Sequence, residues 1–322
     1  GLVGSEMCIR DRFKAHDIND RCQIVGTMPT PTNYQHAFLW SMGKMADLGT
    51  LGGSRSHAYA ISENGVVFGF SETSGTSGRN IFRWENGTMN NLGELADNVH
   101  FHAFNQVGQV VGYVSINGHN HAFIWQNGGL TDLETFGGTH SYAYGINNKG
   151  EVVGDSQTAS GDRHAFLWMY GAMIDLGTLG GNRSNAKDIN NLSEVVGNAQ
   201  VSSGEYHAFI WKNGSMTDLG TLGGKSSSSI AINDIGQVIG QSYTSSNEYH
   251  YFLWDSEHGM VDLNDLLIKE LGSEADLTNI NNHGQIIGTD YPKGPFLLMP
   301  TEVTLFNSNA VIVDGDVYGN VV

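Results

Sequence analysis

Proline is scarce, cysteine nearly absent and positive charge thin. The chain has five prolines and two cysteines in 322 residues, too few cysteines for the disulfide frameworks that staple small secreted scaffolds. Lysine and arginine number 16 against 33 acidic residues, and no basic run breaks the excess. A phosphate-tracking surface is therefore excluded, and nucleic acid with it as a partner. Nowhere do about 18 apolar residues run together, as a membrane-crossing helix requires, so the sequence contains no transmembrane helix. Also missing are a GxSxG elbow, an HExxH metal motif and a phosphate loop, the short signatures of several hydrolase and nucleotide chemistries.

What the chain has instead is glycine, 43 residues of it, and repetition. Trp40, Trp84, Trp125, Trp168, Trp211 and Trp254 are spaced by 44, 41, 43, 43 and 43 residues. A second phrase keeps the same beat: DINDRCQIVG ends at Gly26, GINNKGEVVG at Gly154 and NINNHGQIIG at Gly288, giving seven markers in all. The last repeat has PFLLMP where the tryptophan strand is due.

Within one repeat, four short runs bounded by turn residues predict strands: SYAYGIN at 141, EVVGDS at 151, AFLW at 165 and AMIDLG at 172. Asn86-Gly87, Asn127-Gly128 and Asn213-Gly214 suit two-residue hairpin loops, which need positive φ at both positions. That loop sets Trp211 opposite Met216 and Phe209 opposite Asp218, with His207 diagonal to Asp218. The same spacing of eleven residues joins His36 to Asp47, His121 to Asp132 and His164 to Asp175. Four antiparallel strands every 40 to 45 residues, with little room for helices, predict an all-β fold: a β-propeller of about seven four-stranded blades. One helix-like stretch, LNDLLIKEL from Leu263, lies in a longer link before the last repeat.

The two ends depart from the pattern. GLVGSEMCIRDR, residues 1–12, resembles the translated transposase adapter of a sequencing library, so the repeat domain is expected over 13–306. Residues 307–322 are expected to start a further, truncated segment. Cys22 stands where Gly65, Gly108 and Gly150 stand in other repeats, and is read as a turn residue rather than a reactive thiol.

HAFLW, DLGTLGG and INNxGxVVG, recurring in that order, resemble the HAF-repeat family of extracellular bacterial proteins. The resemblance covers residues 13 to about 300. It weakens in the second repeat, where NIFRW and NLGELADNVH stand in, and at the Trp-less end. It implies secretion or display at the cell surface, and it transfers no activity or catalytic residue.

The repeated residues themselves read as scaffold. His36, His121, His164, His207 and His250 come one to a repeat, too dispersed for a zinc ion that needs three or four ligands at about 2.0 to 2.3 Å. Each is expected to tie its hairpin through the nearby aspartate, and each tryptophan to pack blade on blade, so that Trp168→Ala would cost about 3 to 5 kcal/mol. Calcium stays open as a cofactor, because the Asn turns and DGDVYGN at 314 offer oxygens, though few carboxylates. Function is expected where repeats stop agreeing, at the tips after the GG crossings: Arg55, His57, His100, His102, His140, Arg183 and Lys225, around the mouth of a central channel. They suit a non-catalytic, monomeric binding module for a glycan or an extracellular protein. The alternative is a polysaccharide hydrolase or lyase, which needs a pair of carboxylates across one cleft.

Overall fold

A computed structural model describes residues 13–75, 78–96, 98–264, 275–290, 294–300 and 310–313. Among them, strands β1 to β28 follow one another in chain order, four to a repeat. The fourth repeat shows the pattern: β13 (Gly137–Ile146), β14 (Val152–Thr158), β15 (Arg163–Met169) and β16 (Ala172–Asp175). Each strand pairs antiparallel with the next. The predicted register holds: Trp211 faces Met216 and Phe209 faces Asp218.

The expected count of seven separate blades is not met. The strands pair as five four-stranded sheets and one of eight. The eight-stranded sheet joins the fourth and fifth repeats through one parallel pair, Arg163 on β15 with Arg183 on β17 (Gly180–Ile189). The helix-like stretch after Asn264 lies outside the described residues, as do residues 1–12 and DGDVYGN. Ala310–Val313, from the expected C-terminal segment, form β28 and pair with β27 (Gly294–Pro300), extending the last sheet past residue 306.

By internal contacts the chain divides into two compact units, Gly1–Ala96 with Asp265–Val322, and Asp97–Asn264. The first unit holds the seventh, first and second repeats; the second holds the third to sixth.

Three devices, all readable as repeated letters, hold neighbouring repeats together. The first is packing at the glycine that ends VVG. A Cβ at Gly154 would sit 1.9 Å from Tyr142 O and 2.9 Å from Phe166 Cε1, so only glycine lets β13 and the Phe166 ring close over β14. Phe38, Phe82, Phe123, Phe166, Phe209 and Phe252 are wholly buried as a result. The tryptophans are not the centre of this core: Trp125 is buried, but Trp40, Trp84, Trp168, Trp211 and Trp254 keep an exposed edge. Their register places them two residues further along the strand, toward the hairpin end.

The second device is an asparagine ladder. Asn147, 4% exposed, accepts from the amides of Lys149 and Glu151 through Oδ1, while its Nδ2 donates to Asn190 O, 3.0 Å away in the next repeat. Asn105 does the same to Asn147, and Asn190 to Asn233. In the first unit Asn281 donates to Asn19 O and Asn19 to Ser62 O. The Oδ1 atoms of Asn105, Asn147 and Asn190, among the oxygens a calcium reading would use, are thus committed to the chain's own amides.

The third device is the GG crossing. Ser184 Oγ accepts from Ala165 N at 2.8 Å and donates to Gly177 O, pinning the crossing to the strand that precedes it. Asp175 accepts from Gly177 N and holds His164 Nδ1, both at 2.8 Å. The other predicted pairs form too: His36–Asp47, His121–Asp132 and His207–Asp218, joined by His250–Asp262. Cys22 takes φ 55°, in the turn position where Gly150 takes 79°; burial pushes its thiol pKa up, which keeps it protonated and unreactive.

Candidate functional site

In strands β13 and β17, Ser and Ala residues turn into the packing between repeats, so the alternate positions turn out on the opposite face. These outward positions vary between repeats. In the third and fourth repeats they build a shelf of rings, flanked by Asn185 and Lys187 of the fifth. His100 and His102 come from β9 (Val99–Phe104), Tyr113 from β10 (Val110–Ile116), and His140, Tyr142 and Tyr144 from β13. His100 stacks on Tyr113 at 4.6 Å, and His102 on Tyr144 at 5.0 Å. Tyr113 meets Tyr142 edge-on at 5.0 Å, and Tyr142 stacks beside Tyr144 at 6.5 Å.

Charge is laid over these rings. Arg163 Cζ lies 5.0 Å from the Tyr142 centroid and Lys187 Nζ 4.8 Å from that of Tyr144, both within cation–π range. Beneath them Asp155, 2% exposed, receives Arg163 Nη1 at 3.0 Å and Asn185 Nδ2 at 2.7 Å. Burial raises the Asp155 pKa against the pull of Arg163, and burial lowers that of Lys187. With Nδ2 so engaged, Asn185 Oδ1 is a buried acceptor without a partner, and so is Oδ1 of Asn198, its cross-strand partner on β18 (Val195–Val201). Orphaned acceptors of this kind call for a donor from water or ligand.

For His102 and His140 the surroundings favour the neutral ring over the charged one. His102 Nδ1 lies 2.8 Å from Ala143 O; a carbonyl only accepts, so Nδ1 carries the proton and Nε2 remains an acceptor. Burial lowers its pKa. His140 Nδ1 accepts from Asn120 N at 3.1 Å, and its pKa falls by desolvation, with His119 and Arg163 adding repulsion.

Of the seven tip residues singled out in the sequence, His100, His102 and His140 belong to this shelf. Arg183 and Lys225 are exposed and make none of these contacts. Arg55 and His57 lie in the other compact unit. There His16 stacks on Tyr59 at 4.8 Å, His57 lies 6.3 Å from the same ring, and Tyr59 meets Phe70 edge-on at 5.9 Å. Phe70 takes the strand position that Asp155 holds in the fourth repeat, so this smaller cluster has an apolar floor. Among the described residues, no group of three or more His, Cys, Asp or Glu converges to hold a metal.

The His57 pKa is lowered to about 4, first by burial and then by repulsion from His16 and Arg55, against 6.5 for a free histidine. Between those values the unfolded chain binds the extra proton, so stability present above about pH 6.5 is lost as pH falls toward 4. Urea midpoints at pH 7 and pH 5 should diverge in the native chain and diverge less in His57→Gln; an unchanged gap would rule this histidine out as a source of acid sensitivity.

No family model matches the chain, and no curated protein matches it. Solved structures do. A puromycin-hydrolysing peptidase from Mycobacterium tuberculosis is 10% identical, with 96% of this chain and 55% of that one covered and a TM-score of 0.59. An acylaminoacyl peptidase from Pyrococcus horikoshii is 11% identical, with 92% and 52% covered and a TM-score of 0.57. The chain is an all-β propeller. It spans about half the length of these two peptidases, and at such identities the likeness is one of fold. The β-propeller domain of the Trilobed protease from Pyrococcus furiosus is 10% identical, with a TM-score of 0.42 over 78% of this chain and 98% of that one.

Proposed function

We propose that the protein is a non-catalytic binding module of the HAF-repeat family, working outside the bacterial cell, and that the ring shelf of its third and fourth repeats receives a glycan. The observation that supports this most directly is the shelf itself. The half-exposed tyrosine rings offer apolar surface for the C–H face of a sugar ring, and Arg163, Asn185 and His102 Nε2 stand beside them as hydrogen-bonding groups. Among the described residues of the shelf, Asp155 is the one carboxylate, and it is tied to Arg163 and Asn185. Cleavage of a polysaccharide needs a second carboxylate across the cleft, so binding is the better reading.

A glycan array followed by titration of Tyr113→Ala and Tyr142→Ala tests it. Binding weakened about tenfold or more by each change supports the reading, since a stacked aromatic contributes on the order of 1 kcal/mol or more. Release of reducing sugar, abolished by a single carboxylate substitution, would overturn it in favour of an enzyme.

A further inference from the structure

The cations laid over the ring shelf are departures from the repeat. Lys187 holds the strand position that Tyr144 holds in the fourth repeat and Ile230 in the sixth. Arg163 holds the position of Tyr206 in the fifth and Tyr249 in the sixth. Lys187 also sits at the register shift between Ala186 and Asp188, the kind of irregularity that re-aims a side chain. Its Nζ is carried to 4.8 Å from the Tyr144 centroid, in the neighbouring repeat.

Two cations thus stand over adjacent rings, and Asp155 is the one carboxylate that answers them. It binds Arg163 directly. Lys187 only feels its field, and forms no ion pair among the described residues. The histidines register the surplus: beyond the desolvation that lowers both pKa values, Lys187 repels a proton from His102, and His119 and Arg163 repel one from His140. The chain as a whole carries net charge −17, so this positive patch is a local exception to a surface that turns anions away. Asn185 adds a polar demand. Its Nδ2 is committed to Asp155, which leaves Oδ1 as the end in want of a donor.

We infer that the glycan taken by the ring shelf is acidic, a chain of hexuronic acid units. The inference rests on the glycan reading above and narrows it. One carboxylate pairs with Lys187, the sugar ring lies on Tyr142 and Tyr144, and a hydroxyl donates toward Asn185. A uronate brings an anion and free hydroxyls on the same ring. A polysulfated sugar has its hydroxyls esterified and offers Asn185 nothing.

Calorimetric titration of the full chain with trigalacturonate and with its fully methyl-esterified counterpart, at one ionic strength, tests the inference. The acid should bind about tenfold or more tightly than the ester, because the ester cannot form the charge-assisted hydrogen bond. K187Q should remove that preference and K187R should keep it. Lys187 is exposed, so both variants should melt with the native chain. Equal binding of acid and ester, or a preference that survives K187Q, would overturn the inference; Tyr142→Ala still weakening both sugars would then leave the glycan reading standing without it. Binding of neither sugar would overturn it as well, and the array would go on to test the broader reading. A sulfated dextran binding as tightly as trigalacturonate would overturn it in favour of unspecific attraction between polyanions and the two cations.

Discussion

Asn147→Ala lowers the unfolding free energy by about 3 to 5 kcal/mol, since it strips partners from several buried groups at once. Asn147 is 4% exposed. Its amide satisfies Glu151 N within its own turn and Asn190 O in the next repeat, each at 3.0 Å. Alanine leaves both without a partner where water does not reach, and an unpartnered buried group costs about 1 to 3 kcal/mol. It also leaves Glu151 with one donor fewer. Asn147→Asp keeps the acceptor but points a carboxylate at a carbonyl and a second carboxylate, so it should be at least as damaging at neutral pH. Chemical denaturation of the two variants beside the native chain reads the effect; a loss below about 1 kcal/mol for the alanine, the size of one ordinary hydrogen bond, would show that the ladder is not a principal tie.

Phe166→Ala should cost about 3 to 5 kcal/mol, and Trp168→Ala about half of that. The two residues lie on the same face of β15, two positions apart, yet Phe166 is fully buried under Gly154 while Trp168 keeps an open edge. Removing the phenyl ring leaves a void bounded by glycine on one side and by the core of Val111, Ala122 and Val152 on the other. Removing the indole opens a groove that water enters, so mainly the transfer term is lost. Urea midpoints of the two variants should therefore separate clearly. Equal losses would return the tryptophan to the centre of the packing, where its size and periodicity alone would put it.

That reversal shows where the letters stop being informative. Periodicity marks Phe166 and Trp168 alike, because both recur every 43 residues or so; which one is covered depends on the glycine opposite, a pairing across strands. The hairpins were legible because Asn-Gly has a conformational meaning of its own, and Met42-Gly43 and Tyr170-Gly171 follow the same geometry without announcing it. INNKG reads correctly as a corner, but the reach of Asn147 to the next repeat ends on a backbone carbonyl, which every residue possesses. The candidate site was legible at His100, His102 and His140, where polar rings interrupt a repeated phrase. Tyr142 and Tyr144 were hidden inside SYAYGIN as ordinary strand formers, and Asp155, Arg163 and Asn185 come from three strands in two repeats, so no spacing in one repeat relates them. Arg183 and Lys225 lie exposed on strands rather than at loop tips, and Arg183 meets the shelf only as the backbone bridge partner of Arg163.

The asparagine rung from Asn281 to Asn19 has the geometry of the others but not their chain separation. It spans 262 residues where the rung from Asn147 spans 43. Loop-closure entropy grows with the logarithm of that length, so bringing these two ends together costs about 1.6 kcal/mol more than joining consecutive repeats. Each of the other rungs can be made by a segment as soon as its successor emerges; this one waits for nearly the whole chain. The seam between the last repeat and the first therefore carries the largest loop-closure cost of the rungs described, and the contacts beside it, Asn279 to Asp17 and Asn282 to Asp20, offset that cost.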